Sequence, residues 1–326
     1  MSVIATIKDV AQVAGVTVTT VSRVLNNRGY ISDTTRKKVH EAMKELNYTP
    51  NELARSLFRK KSNIIGLIIP DVSHPFFSEL SKYIEYYAYK KGYKILLCNS
   101  YEDSLKEKDY IEMLKRNQVD GIIMGSHTLE TSDYINTKLP IVALDRNLSN
   151  AIPLITSDNY NGGVLATNLL IKKGCKKLAH ISGPLTLNTP ANKRCNAFMD
   201  VTKENSIESI VIESKLDTFS GYTEMIFDLL KKHPDIDGIF ASSDIIAASI
   251  INVANSLNKK IPADLKIVGY DDIPLASLLV PAITTIKQPI ESIGKLAIEN
   301  IINQIEKNPF EVETILPVDL IERLTT

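Results

Sequence analysis

Apolar positions follow two different rules along this chain, and the rule changes near residue 62. Before it, they recur at helical spacing. Ile7, Val10, Ala11 and Ala14 share one face of a first predicted helix. Thr6 opens that helix with Asp9 three residues on, at capping-box spacing, and Gly15 ends it. Thr17 opens a second helix, Val18 to Leu25, with Val21, Val24 and Leu25 inward and Val18, Thr19, Ser22 and Arg23 outward. Ser32 opens a third, Asp33 to Leu46, with Val39, Ala42, Met43 and Leu46 inward. Helix, glycine turn and short helix form a helix-turn-helix, in which the second helix enters the DNA major groove. An ordinary three-helix interaction domain with a charged face is the alternative. A further helix of about eight residues is predicted after Tyr48, where Thr49 and Glu52 repeat the capping box around Pro50. So short a helix is marginal alone in water and should order only when something packs against it.

Beyond residue 62, short apolar runs alternate with amphipathic stretches. Strands are predicted at Ile64–Ile69, Lys94–Cys98, Gly121–Met124, Ile141–Leu144, Leu178–Ile181, Gly238–Ala241, Lys266–Gly269 and Thr284–Ile286. Helices are predicted at Phe76–Lys91, Lys106–Arg116, Asn161–Lys173, Gly221–Lys232, Asp244–Leu257 and Ile290–Ile305. Such alternation predicts parallel sheets covered by helices, and ligands bind such sheets beyond the carboxyl ends of the strands. Asp71 to Phe77, Asp145-Arg146, Ser182-Gly183-Pro184, Ser242-Ser243-Asp244 and Gly269 to Asp272 all follow strands, with Arg194 just downstream of the third set. Hydroxyls, carboxylates, one arginine and aromatic rings suit a polyol, which needs hydrogen bonds from several sides and a ring against its apolar face. Acids and serines after strands can equally be N-caps of the next helices. For Asp244 the two readings stay open, whereas Asp271 and Arg194 each add a charge that a cap does not require.

Charge sharpens the division. The whole chain is neutral, but residues 1–63 carry 11 Lys+Arg against 5 Asp+Glu and the remainder carries a matching net of −6. A basic segment of this kind suits a polyanion, and the cluster Arg36, Lys37 and Lys38 suits phosphate contacts that position without reading sequence. Three cysteines with no C-x-x-C pair argue against a disulfide framework and a cysteine-built zinc site. The longest apolar run, Ile64 to Ile69, is far short of the roughly 20 residues that span a bilayer. The first residues lack the pattern of a secretory signal, so a soluble, cytoplasmic chain without membrane contact is expected. No nucleotide, hydrolase or metalloprotease motif is present and the five histidines are scattered, so neither an enzyme nor a cofactor or metal is expected.

Two stretches carry a specific resemblance. T-I-K-D-V-A-x-x-A-G-V-T-x-x-T-V-S-R-V-L-N, followed by N-Y-T-P-N-E-L-A-R-S-L, resembles the headpiece and hinge of the LacI/GalR family of bacterial transcription regulators. V-G-Y-D-D and T-T-I-K-Q, and G-P followed by an arginine eleven residues later, extend the resemblance over almost the whole chain. It implies an all-α helix-turn-helix headpiece at 1–47, a hinge helix and linker at 48–62, and a two-lobed, periplasmic-binding-protein-like α/β body at 63–326. The body's N-subdomain would take about 63–158 plus 290–318, and its C-subdomain about 159–289 plus the C-terminal residues.

The implied DNA contacts are Thr6, Thr17, Val18, Thr19, Ser22 and Arg23, with Asn51, Ala54 and Leu57 in the hinge. Leu57 would be an apolar wedge that kinks the duplex from the minor groove, and Arg23 can donate bidentately to guanine. The implied effector contacts are Ser73, Phe76, Asp145, Arg194, Phe219, Ser243 and Asp271. Ser243 stands where many relatives place asparagine and Phe219 where some place an indole, so the sugar should differ. Within the family, G-Y-I-S, S-H-P-F and L-D-R-N-L are similar to sucrose-operon repressors.

The resemblance thus implies a repressor of a sugar-utilisation operon, with double-stranded operator DNA and sucrose, fructose or a phosphate of these as partners. A co-repressor- or phosphocarrier-dependent regulator of the same family is the alternative. A pseudo-palindromic operator demands a two-fold dimer. Tyr86 and Tyr89 are candidate interface residues, and the chain's end shows no leucine heptads, so a homodimer is expected.

Overall fold

Helices α1 (Ile7–Ala14), α2 (Val18–Leu25) and α3 (Asp33–Glu45) close around Val10, Ala11, Ala14, Val21, Val24, Val39 and Ala42. Local signals set each boundary. Asp9 accepts the Thr6 N–H at 2.7 Å and O–H at 2.8 Å, which lowers its pKa. Gly15 takes φ 64°, and the Val16 N–H returns to Ala11 O at 3.0 Å, a left-handed stop that a side chain would resist. The hydroxyls of Thr17 and Ser32 accept the N–H of Thr20 and Thr35, capping α2 and α3. In this computed structural model the described residues are 5–49 and 61–326, less 102, 127, 130–132, 135, 150, 186–188 and 215–218 and the side chains of Phe219 and Ser220. The short helix expected after Tyr48, with Asn51, Ala54 and Leu57, falls outside them.

Residues 63–326 form a separate unit with two sheets. In chain order come β1 (Ile64–Ile69), α4 (Pro75–Lys90), β2 (Lys94–Asn99), α5 (Ser104–Arg116), β3 (Gly121–Met124), β4 (Ile141–Leu144) and β5 (Leu154–Ser157). The chain then passes to the second lobe with α6 (Asn159–Lys172), β6 (Lys177–Ser182), α7 (Lys193–Glu204), β7 (Glu208–Glu213), α8 (Phe219–Lys232) and β8 (Gly238–Ala241). That lobe continues through α9 (Asp244–Ser256), β9 (Lys266–Asp271), α10 (Pro274–Leu278) and β10 (Thr284–Lys287). Helix α11 (Ile290–Glu306) and β11 (Glu313–Leu316) return to the first lobe, and β12 (Asp319–Ile321) ends in the second. The sheet orders are β11-β5-β4-β3-β1-β2 and β12-β10-β9-β8-β6-β7, parallel except where β12 runs against β10.

Apolar side chains pack on both faces of each sheet, which is why β1 reads as an unbroken apolar run rather than an alternating one. A Cβ on its one small residue, Gly66, would sit 2.6 Å from Leu114 Cδ1, so a larger residue there would displace the Leu114 side chain. The strands predicted from apolar runs are all present. Those not predicted are β5, β7, β11 and β12, along with helices α7 and α10. The sequence of β5, Leu-Ile-Thr-Ser, mixes hydroxyls into a fully buried strand, and the edge strands β7 and β11 are half-polar, so none shows an apolar run.

Three crossovers join the lobes, just after β5, just after β10 and between β11 and β12. They are hydrogen-bonded to one another: the Asp158 N–H reaches Leu316 O at 2.8 Å, and Ser157 Oγ donates to Gln288 Oε1 at 2.5 Å. Within the described residues no helix is long and apolar enough to cross a membrane.

Candidate functional site

A cleft of about 290 Å³ opens between the two lobes of the body, at the carboxyl ends of the strands. Its first-lobe wall includes His74, Phe76, Phe77, Ser126, Thr128 and Asp145. The second lobe contributes Arg194, Tyr222, Ser242, Ser243 and Asp271, and Gln288 enters from the crossover after β10.

Arg194 reaches the cleft because α6 and α7 pack unusually close. A Cβ on Gly163 would lie 2.7 Å from Arg194 O, so glycine is needed for the backbones to approach. The guanidinium is then held on three sides. Its Nε donates to Asn159 Oδ1 at 2.7 Å, Nη1 donates to Ser242 O at 2.8 Å, and the group lies 3.6 Å from the centre of the Tyr270 ring. Hydrogen bonding and cation–π stacking leave it oriented before any ligand arrives.

The carboxylates are set by strained backbone. Asp145 has φ 55° and Asp271 φ 109°, conformations that L side chains rarely adopt and that cluster at functional sites. Asp145 accepts Thr156 Oγ1–H at 2.6 Å, and Asp271 accepts Gln288 Nε2–H at 2.7 Å. Burial raises both pKa values, with Arg194 opposing in each case. His74 is pushed the other way, because burial disfavours its cation more than Asp71 favours it. Its buried Nδ1 has no hydrogen-bond partner among the described residues. A neutral imidazole therefore faces the cleft.

Of the residues implied by the resemblance, Phe76, Asp145, Arg194, Ser243 and Asp271 are brought together around this cleft. Ser73 is not among the lining residues: its hydroxyl donates to Asp71 Oδ2 at 2.6 Å on the exposed side of the turn, and His74 takes the lining position. Phe219 starts α8, and its side chain is not among those described; Tyr222, one turn on, lines the cleft. Ser243 both lines the cleft and caps α9 through the Ile246 N–H at 3.3 Å. Asp244 fits neither of its two readings. It is 1% exposed and braces the second lobe from within, accepting Thr285 Oγ1–H at 2.5 Å and Ile273 N–H at 2.9 Å. Burial and Asp271 drive its pKa well up.

Sequence reading held His74 and Phe77 only as part of the Asp71 to Phe77 stretch, and missed Ser126, Thr128, Tyr222 and Gln288. Gln288 had a signal in T-T-I-K-Q, and Ser126 in its place just after β3. Thr128 follows β3 in the same segment as Ser126, and Tyr222 reaches the cleft only through the packing of α8. Among the described residues no group of three or more His, Cys, Asp and Glu is placed to hold a metal, and Cys98, Cys175 and Cys195 are buried and unbridged.

In the headpiece, Thr6, Thr17, Val18, Thr19 and Arg23 are exposed and Ser22 half-buried. All but Thr6 lie on α2 or at its N-cap, and Thr6 is the residue before α1. Val18, an apolar residue 40% exposed at the first position of α2, has no role in the headpiece core.

Comparison with known proteins places these observations. Residues 6–51 match the bacterial regulatory proteins of the lacI family, and residues 62–323 match the periplasmic binding proteins and sugar binding domain of LacI family. The chain is similar to the ribose operon repressor of Halalkalibacterium halodurans, at 45% identity over 98% of this chain and 97% of the relative. It is 43% identical to the sucrose operon repressor of Streptococcus mutans, over 98% of each chain. Among solved structures, the lac repressor dimer bound to operator and the anti-inducer ONPF is 26% identical, with a TM-score of 0.88 over 98% of each chain.

Proposed function

The chain belongs to the lacI family of bacterial regulatory proteins, and from that premise we propose that it represses a sugar-utilisation operon and releases its operator when a neutral sugar fills the cleft. The observation that carries this reading is the meeting of Asp145, Arg194 and Asp271 across a cleft walled by Phe76, Phe77 and Tyr222. Oriented polar groups can hold hydroxyls from both lobes while rings cover the apolar face of the sugar. With its Nε and Nη1 already spent on Asn159 and Ser242, the Arg194 guanidinium in the cleft has few donors left for a phosphate. The sugar is therefore unphosphorylated, with sucrose the first candidate and ribose its rival, since relatives named for both operons stand at similar identity.

A ligand that touches both lobes binds more tightly when they close, and only such differential affinity can shift a conformational equilibrium. In this reading closure weakens the grip of a homodimer on double-stranded operator DNA. Val18, Thr19 and Arg23 read base edges, Thr6, Thr17 and Ser22 support them, and residues 48–62 form the hinge, with Asn51 and Ala54 against DNA and Leu57 in the minor groove. A tenfold coupling between sugar and DNA corresponds to about 1.4 kcal/mol. A dimer also answers the two-fold symmetry of a pseudo-palindromic site.

Operator titrations with sucrose, ribose, fructose and sucrose 6-phosphate test the reading. Weakened operator binding with a neutral sugar and no response to the phosphate is expected. Operator affinity unchanged by every sugar would refute induction, and release by the phosphate alone would refute the donor argument.

A further inference from the structure

The first lobe contains a buried carboxylate that has no part in the site described so far. Glu107, on α5, is fully buried, and donors from the segment after β3 converge on both its oxygens. Oε2 accepts Ser126 Oγ–H at 2.7 Å, Thr128 Oγ1–H at 2.9 Å and Thr128 N–H at 3.2 Å. Oε1 accepts the Tyr134 hydroxyl, whose oxygen accepts the Leu129 N–H at 3.1 Å. Behind this cluster, Ser100 Oγ donates to Ser126 Oγ at 2.6 Å. Ser126 and Thr128 line the cleft.

A hydroxyl has one hydrogen to give and two lone pairs to receive with. Glu107 takes the hydrogen of both Ser126 and Thr128, and Ser100 occupies one lone pair of Ser126. What these two side chains have left for the cleft is lone pairs. The Asp145 carboxylate, in the same wall, also only accepts when ionised. A buried carboxylate costs several kcal/mol unless it is well hydrogen-bonded, so the hydroxyl hydrogens cannot turn away from Glu107 without a large penalty.

We propose that Glu107 is a positioning residue that sets the polarity of the Ser126–Thr128 part of this wall: it leaves these two hydroxyls able only to accept, so that an effector group facing them must bring its own hydrogen. The inference rests on the cleft being the effector site. A sugar hydroxyl satisfies the wall. A fluorine, an ether oxygen or a phosphate oxygen in the same place meets lone pairs with lone pairs. Glu107 thereby selects for free hydroxyls without touching the ligand.

The test is calorimetric titration of the full chain with sucrose and ribose and with singly deoxyfluorinated analogues of each. Against the wild type, at least one analogue should bind about tenfold or more weaker than its parent, as expected where a polar site loses its donor. Glu107→Met should narrow that ratio about fivefold or more, because the Ser126 and Thr128 hydrogens are then free to turn toward fluorine. Glu107→Gln should keep the wild-type ratio, its amide oxygen facing the three donors and its NH₂ facing Tyr134. A merely structural role would lower stability without changing the ratio, so an unchanged ratio in Glu107→Met overturns the proposal. Should that variant not fold, Ser126→Ala/Thr128→Val reads the same ratio, and no narrowing there overturns it. Sugar binding with no fluorine penalty in the wild type defeats the role of Glu107 alone; no binding of either sugar defeats the effector reading and this inference together.

Discussion

Gln288 Nε2 donates to Asp271 Oδ1 at 2.7 Å, and the same amide accepts Ser157 Oγ–H through its oxygen. One side chain at a crossover thus ties the end of β9 in the second lobe to the end of β5 in the first. Asp271 lines the cleft, so anything that draws on its carboxylate also pulls on this crossover. The cleft and the crossover share a residue here.

Gln288→Leu keeps the bulk and removes both bonds, leaving Asp271 and Ser157 buried without this partner. Stability should fall by about 1–3 kcal/mol, the range for stranding a buried polar group. Urea unfolding measures that loss. If the amide also couples the lobes, sugar should release operator less effectively even at saturation, and a saturating response equal to wild type would limit Gln288 to a structural role.

Arg194→Lys tests whether charge or shape matters in the second lobe. A lysine cannot reproduce the fork that reaches Asn159 and Ser242, nor the planar stack on Tyr270. Sugar affinity should drop by about tenfold or more, equivalent to about 1.4 kcal/mol. Titration of the purified variant gives the answer, and near-normal affinity would mean that a point charge suffices.

Gly163→Ala sets two effects against each other. In a helix interior the change favours folding by about 1 kcal/mol through propensity alone. The added Cβ would meet Arg194 O at 2.7 Å and Ala197 Cβ at 2.8 Å, both firmly placed. Overpacking of this kind costs about 1–3 kcal/mol, so a lower melting temperature is expected, together with weaker sugar binding as α7 carries Arg194 outward. A more stable variant would show that α6 and α7 can separate freely.

His180 makes acid weaken the fold. Burial pulls its pKa down to about 4, beyond what the Phe240 carbonyl restores at 2.9 Å, and Arg194 adds to the depression. The unfolded chain binds this proton from about pH 6.5 downward while the folded one refuses it, so stability falls between there and about pH 4. Asp271 and Asp244 act with opposite sign. Their raised values mean that the folded state holds protons more readily, and their contribution falls as pH rises above the ordinary carboxylate range. The His180 part is isolated by comparison with His180→Leu, whose stability relative to wild type should improve on acidification by an amount on the order of 1–3 kcal/mol. A difference independent of pH would contradict it.

Much of the fold is a local matter. Thr6, Gly15, Thr17 and Ser32 mark helix ends within three or four residues of the bonds they make, and Ile64 to Ile69 is apolar throughout because both faces of its sheet are covered. Period and capping determined the headpiece, the strand-helix alternation and the ends of strands at which Asp145 and Asp271 are found, because each of those features is written in neighbouring residues; Arg194 lies on α7, a helix that the pattern did not predict. The tertiary structure decided what depends on partners far away in the chain. It turned Asp244 inward to Thr285, 41 residues on, and spent the Ser73 hydroxyl on Asp71. It also put Glu107 beneath Ser126 and Thr128, and joined Gln288 to both Ser157 and Asp271. Spacing along a chain reports which face a residue occupies; whether its polar atoms point at a ligand or at the protein is settled only when the opposite wall is in place.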